Sequence, residues 1–263
     1  MLDDRLETVM FGYPLSAGWI EADGVSRVPY LPPSMIGDAT LALVDSIAAL
    51  TMLGSHVIVR DIAVVCRHSS MLTLLTHTRP DEVEEVAVSI PGVSPAGRAV
   101  ATAVLQPFYG IRVLAWSEDD HAVDSAHATL TEGTLALIPV HDEQQYQEDL
   151  GRAWFLMTDR PFVSHVAVAP RATLASSPAG VLAAVERLLE SRRVASERGR
   201  ELRRDLSRGL AIDRDTLTDT LADQTHELDD DALDGLAVLA ARGGLRMSRR
   251  ELMDALISVS PGR

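Results

Sequence analysis

The chain has a single cysteine, Cys66, among its 263 residues. One thiol excludes an intramolecular disulfide, leaves too few sulfur ligands for a Cys-rich zinc or iron–sulfur site, and points to a reducing compartment. Basic charge is scarce as well: 24 Lys and Arg against 38 Asp and Glu give a formal net charge of −14. Such a chain is repelled by phosphate backbones and anionic lipid surfaces unless a local basic patch overrides the sum, so neither nucleic acid nor a membrane is an expected partner. No window of about 18 apolar residues is present. The opening MLDDRLETVMFGY carries acids where a secretory signal has Lys or Arg and lacks a continuous apolar region, so a cytoplasmic location is expected. Internal repeats, low-complexity tracts and the P-loop, G-x-G-x-x-G, H-E-x-x-H and G-x-S-x-G motifs are also missing.

What is present suits one large or two modest α/β domains: 46% of residues are hydrophobic and 24% charged. Ala39 to Leu50 reads as a buried strand, Leu41 to Val44, running into a short helix capped by Asp45 or Ser46. Val57 to Val65 reads as a strand pair or one bent strand, and Met71 to Leu75, Val86 to Ile90 and Ile111 to Trp116 as further strands. A helix from Pro95 is expected to reach about Gln106, with Pro107 beginning its exit. Ser117 to Ala128 is polar and reads as surface turns with a helix, followed by a buried strand over Thr134 to Val140.

Leu150, Trp154 and Met157 recur at helical spacing, and Pro161 then stops that helix ahead of a strand through Phe162, Val163, Val166 and Val168. Beyond Pro170 the pattern is helical. Ser177-Pro178 opens a helix with Val181, Leu182, Val185, Leu188 and Leu189 on one face; arginines from Arg187 to Arg208 alternate with acids and read as a solvated, salt-paired face. A helix from Asp229 or Asp230 stops at Gly243-Gly244, and Ser248 with Glu251 forms a capping box. Strands alternating with helices through residue 170, then helices alone, give an α/β fold with a helical C-terminal segment.

Two places carry legible chemistry. In Pro91-Gly92-Val93-Ser94-Pro95-Ala96-Gly97 the serine is a good helix cap, the proline suits the first helical position, and small Ala96 and Gly97 leave the first amides open. Unpaired amides at the positive end of a helix dipole attract an anion, so a carboxylate ligand is expected there; an ordinary βα turn is the plain alternative. His141-Asp142-Glu143 follows a strand end, the side on which α/β sheets bind ligands, and reads either as a base, acid or metal ligand or as a solvated helix cap. His68 and His77 read as partly exposed histidines near strand ends.

The segment Asp149-Leu150-Gly151 with Trp154, Thr158, Pro161, Phe162 and Val163 resembles a signature of the menaquinone-biosynthesis enzymes of the futalosine pathway. These are the chorismate dehydratases and the sister enzymes acting on cyclic dehypoxanthine futalosine. Asp159 and Arg160 stand where that family has Gly and Leu. Near the N-terminus, Tyr13-Pro14-Leu15 keeps only the proline and leucine of the family's ligand-facing signature, and Phe11 occupies the place of its Asn. Thr40 replaces an Asp, Asp45 replaces a Pro, and Ser46 is a retained polar position. Ile90-Pro91-Gly92 and His141 look closer to the sister branch.

The resemblance implies a two-lobed, periplasmic-binding-protein type II-like fold with a ligand cleft between the lobes. Lobe I is expected to comprise residues 1–83 and 161–263, and lobe II residues 84–160. It implies a lyase converting chorismate to an enolpyruvyl-benzoate and water with no metal or organic cofactor. Ser94 and the amides of Ala96 and Gly97 would hold a carboxylate, Ser46 and Thr76 would hydrogen-bond ring substituents, and His141 would titrate. The sister activity and a non-catalytic binder of a small carboxylic acid are the alternatives, the latter favoured by the missing Asn and Asp. The expected partner is a chorismate-like carboxylate, and the expected state a monomer or homodimer.

Overall fold

In a computed structural model, residues 8–11, 25–28, 36, 39–69, 71–118, 128–138, 145–210 and 212–259 are described. They form two sheets. The first contains β1 (Thr8–Phe11), β2 (Val25–Val28), β3 (Leu41–Asp45), β4 (His56–Cys66), β10 (Phe162–Pro170), β11 (Gln224–Thr225) and β12 (Leu256–Ile257). Its order is β11-β4-β10-β3-β1-β2, with β12 also on β4. The second contains β5 (Leu72–Thr76), β6 (Glu85–Ser89), β7 (Arg112–Ser117), β8 (Ala128–Glu132) and β9 (Tyr146–Asp149), in the order β7-β6-β8-β5-β9.

The helices are α1 (Ser46–Thr51), α2 (Pro95–Tyr109), α3 (Leu150–Thr158), α4 (Arg171–Ser176), α5 (Pro178–Glu197), α6 (Gly199–Leu210), α7 (Arg214–Ala222), α8 (Asp230–Arg242) and α9 (Arg249–Asp254). Strand β3 shows why the first sheet is covered on both faces. Leu41 and Leu43 join Val181, Val185 and Leu188 of α5, whereas Ala42 and Val44 join Leu233 and Leu236 of α8. Successive side chains of a strand point to opposite faces, so an unbroken apolar run needs a cover on each. Strand β10 is buried from Phe162 to Ala169 for the same reason, held antiparallel between β3 and β4.

The chain crosses between sheets at residues 67–71 and 159–161. Three consecutive amides of the first crossing, Arg67, His68 and Ser69, donate to Asp223 Oδ2 at 2.9, 2.7 and 3.0 Å. Asp231 at the start of α8 accepts Arg67 Nη2 at 3.0 Å and Arg160 Nη1 at 2.8 Å, and so holds both crossings. Asp159 caps α3 in a left-handed conformation, φ 52°.

Three expectations are corrected. In its described part the buried strand expected over Thr134 to Val140 is not formed: Leu135–Leu137 is a single 3-10 turn, with Leu135 and Ile138 exposed. The strand there is β8, earlier in the chain, whose pattern holds only two apolar residues, Ala128 and Leu130; Gly133, at φ 69°, turns the chain out of it. Helix α2 passes through Pro107 to Tyr109 and stops at Gly110, φ 77°, whose amide reaches Gln106 O and Leu105 O. Leu182 lies outside the buried face of α5.

Strand β5 pairs with β8 and β9, so residues 72–76, counted in lobe I from the sequence, belong to the second sheet. One apolar cluster also runs through residues of both sheets by way of α2 and α8. Among the described residues no helix is long and apolar enough to cross a membrane.

Candidate functional site

Two strand-to-helix turns face each other where the sheets meet. In the first, β3 ends at Asp45, whose Oδ1 accepts the Ala48 amide at 3.0 Å and caps α1. Ser46 follows, and its hydroxyl donates to Val163 O at 2.6 Å, tying the turn to β10 just beyond the second crossing. In the second, Gly92 at φ 67° lets the chain turn after β6. Ser94 Oγ then accepts the Gly97 amide at 3.0 Å, the expected cap of α2.

The ends of this second turn are already engaged from within the protein. Glu132, at the end of β8, accepts the Ser94 amide at 2.6 Å and the Ser94 hydroxyl at 3.0 Å. Gly97 is required here because a Cβ at that position would lie 2.8 Å from Glu132 Oε2 and 3.1 Å from Leu72 Cδ1. Burial pushes the Glu132 carboxyl up to about 7, against the downward pull of the two Ser94 hydrogen bonds and with a small upward contribution from Asp45. Asp45 is likewise raised to about 6 by burial, opposed by the amides of Ala48, Ala96 and Ile47. Its Oδ2 has no hydrogen-bond partner among the described residues. Two carboxyls that hold protons near neutrality therefore flank the start of α2.

Beside them is a cavity of about 560 Å³. Ile47, Ile90, Val93 and Ala99 give it apolar walls, Ser94 lines it, and Arg98 and Arg242 stand on it with Glu118. Arg98 lies over the Trp116 ring, 5.5 Å from its centroid. Arg242, in the last turn of α8, has no ion pair among the described residues. A cavity of this size with an apolar body and two guanidinium groups suits a small organic anion.

Of the residues expected from the sequence, Ser46, Ser94, Ala96 and Gly97 come together at the facing turns, but in different roles. Ser94 alone of these lines the cavity; Ser46 is spent on Val163, and the Gly97 amide on Ser94. Thr76 pairs with Ala128, at the end of β8 opposite to Glu132, about 13 Å away along the strand at ~3.3 Å per residue. His141, Asp142 and Glu143 lie outside the described residues, as do Tyr13, Pro14 and Leu15. Sequence reasoning missed Glu132, Arg98 and Arg242, and read Asp45 only as a cap. The one signal was at Asp45, an acid where the resemblance has proline. No cluster of three His, Cys, Asp or Glu side chains fit to hold a metal occurs among the described residues.

Two sheets, two crossings between them and a cavity where facing strand-to-helix turns meet define a two-lobed fold of the periplasmic-binding-protein kind. Solved structures similar to it include protein AF1704 from Archaeoglobus fulgidus, 14% identical over 92% of this chain and 99% of that one, with a TM-score of 0.66. The periplasmic aliphatic sulphonate binding protein SsuA from Escherichia coli is 10% identical over 96% of this chain and 91% of that one, with a TM-score of 0.64. The Candida albicans CA3427 gene product, described as having the generic periplasmic binding protein fold, is 13% identical over 96% and 95%, with a TM-score of 0.60. At such identities the likeness carries the fold alone. No curated protein matches the sequence significantly. The menaquinone biosynthesis family matches residues 35–244, and the chain belongs to that family.

Proposed function

We propose that the protein is a chorismate dehydratase-like lyase on the futalosine route to menaquinone, with the cavity at the start of α2 as its substrate site. The observation that supports this reading is the pair Arg98 and Arg242 on an apolar cavity beside Ser94, in a chain of the menaquinone biosynthesis family. Chorismate carries two carboxylates, and two guanidiniums match them by charge and by forked hydrogen-bond geometry. In the reaction a ring carbon loses a proton, the ring C–O bond breaks, and the departing hydroxide takes up a proton to leave as water. Positioning and electrostatics supply most of such a barrier.

Ser94 and Glu132 form the proton-handling pair. With Glu132 ionised, the Ser94 hydroxyl points at it. With Glu132 protonated, the carboxyl donates to Ser94 Oγ, and the serine O–H, still bonded, turns towards the cavity. A carboxyl titrating near 7 makes both states accessible at neutral pH. In this reading the lobes follow the sheets: lobe II begins at β5, close to residue 72 rather than 84, and ends with α3.

A second reading, a non-catalytic binder of a small carboxylic acid, is favoured by Glu132 occupying the Ser94 amide and by Phe11 and Thr40 at the places of Asn and Asp. Incubation of the purified protein with chorismate, followed by absorbance, mass spectrometry and calorimetry, separates the two. Aromatic product is the expected result, and R242Q should weaken substrate binding at least ~10-fold, about 1.4 kcal/mol. Binding without turnover turns the reading to the binder, and neither binding nor turnover sinks chorismate as the ligand.

A further inference from the structure

A second cavity, of about 590 Å³, lies within the C-terminal helical segment between α5, α6, α7 and β11. It shares no lining residue with the cavity at α2. Leu189, Leu202 and Leu221 supply an apolar wall, and Arg192, Arg193 and Arg203 come to it from α5 and α6. Three guanidiniums around one cavity stand out in a chain of net charge −14.

Their commitments differ. Arg193 is taken by Glu190 and Glu197, the latter itself on the cavity wall. Arg192 Nη1 donates to the His226 carbonyl at 3.2 Å, which fixes the guanidinium and leaves its other N–H groups. Arg203 is half-buried and has no ion pair among the described residues; it lies across Gly199, where a Cβ would stand 3.1 Å from its Nη1. His226 adds no charge at neutral pH, because burial and the Arg192 guanidinium push its pKa down to about 4.

The second observation is Gln224. It lines the same cavity and is only 7% exposed, its amide nitrogen reaches no better acceptor than Met71 Sδ at 3.8 Å, and its carbonyl oxygen has no partner among the described residues. A buried carbonyl left without a donor is unfavourable, and a ligand O–H or N–H relieves it. A guanidinium without a counter-ion, an apolar wall and an acceptor without a donor are complementary to one kind of molecule.

We propose that this cavity is a second ligand site, for a small organic acid with an apolar body and a hydroxyl or N–H donor remote from its acidic group. The acid pairs with Arg203 and Arg192, the body lies against Leu189, Leu202 and Leu221, and the donor bonds Gln224 Oε1, which is closed to solvent in this structure and is presented by a turn of the Gln224 amide towards the cavity. The site is independent of the lyase reading, since none of its residues touches the cavity at α2.

The test uses the full chain and 4-hydroxybenzoate as the probe, with benzoate and 4-hydroxybenzyl alcohol as controls that lack the donor and the charge. Calorimetry should show one site for 4-hydroxybenzoate, weaker binding of both controls, and at least a tenfold loss in R203Q, whose side chain is not part of the core. In Q224L, 4-hydroxybenzoate and benzoate should bind alike; thermal melts of each variant confirm folding. Absence of 4-hydroxybenzoate binding to the parent at millimolar concentration overturns the proposal. So does binding that survives R203Q but is lost in R242Q, because the probe would then occupy the cavity at α2.

Discussion

At Glu132 a single carboxyl holds the start of α2, accepting both the amide and the hydroxyl of Ser94. Its pKa is raised from 4.5 to about 7, and that of Asp45 from 3.8 to about 6, both chiefly by burial. A raised acid pKa means that the folded state holds the proton where the unfolded chain has lost it. The stabilising contribution is therefore complete below about pH 4 and is lost as pH rises to about 7. E132Q keeps a protonated-like side chain at every pH, so its denaturant midpoint should fall less than the parent's between pH 5 and 8. At pH 8 the variant should be the more stable, by about 1–2 kcal/mol. An anion in the neighbouring cavity feels the same two groups, so chorismate, the ligand proposed for that cavity, should bind the parent more tightly at pH 6 than at pH 8; equal affinity at both would remove Glu132 from the site. Gly97 belongs to the same contact. Small residues read from the sequence as an open door, yet a side chain at Gly97 meets Glu132, Leu72 and Val93. G97V should accordingly lose stability, by about 1–3 kcal/mol in denaturant unfolding, rather than ligand binding alone.

At the scale of elements, α8 connects the fold to the site. Its start carries Asp231, which holds both crossings, and its end carries Arg242 at the cavity. Midway, Gly235 permits the helix to press on the second crossing, since a Cβ there would run into the Pro161 carbonyl oxygen. That neighbour is backbone and cannot rotate away. G235A should therefore cost about 1–3 kcal/mol and shift α8 outward, read as a lower melting temperature together with weaker anion binding at Arg242. A melting temperature equal to the parent's would mean the helix does not bear on Pro161. The boundaries of α8 were legible in advance, because Asp229 caps it through the Ala232 amide at 2.7 Å and Gly243-Gly244 end it. Strand β8 was not, because it offers only two apolar residues, Ala128 and Leu130, and its place between β5 and β6 is set by partners far away in the chain.

Over the whole molecule the two sheets are joined by a shared apolar cluster and by polar latches at the crossings. The latches are partly exposed ion pairs, each worth about 0–1 kcal/mol. D231A should thus lower stability by less than about 1 kcal/mol while raising amide hydrogen exchange at residues 67–69 and at Asp159 and Arg160 well above the parent's. Unchanged exchange at both crossings would show that Asp231 does not hold them.

The sequence by itself determined what depends on neighbours in the chain. The caps at Asp45, Ser94, Asp149, Asp229 and Ser248, the strands β3, β4, β6 and β10, and the closing helices follow from side chains within four residues of the backbone they satisfy, or from alternation along one strand. The family followed from the segment around Asp149 to Val163, and with it the two-lobed fold. Only tertiary structure decided that Glu132 would close on Ser94, 38 positions away, that Arg98 and Arg242 would meet at one cavity, and that Gln224 would be buried beside Arg203. No periodicity encodes those meetings. They are fixed by how β8 registers on β5 and β6, by where α8 crosses α2 and by how β11 and α6 close on α5, and burial among these elements is what raises the pKa values of Glu132 and Asp45.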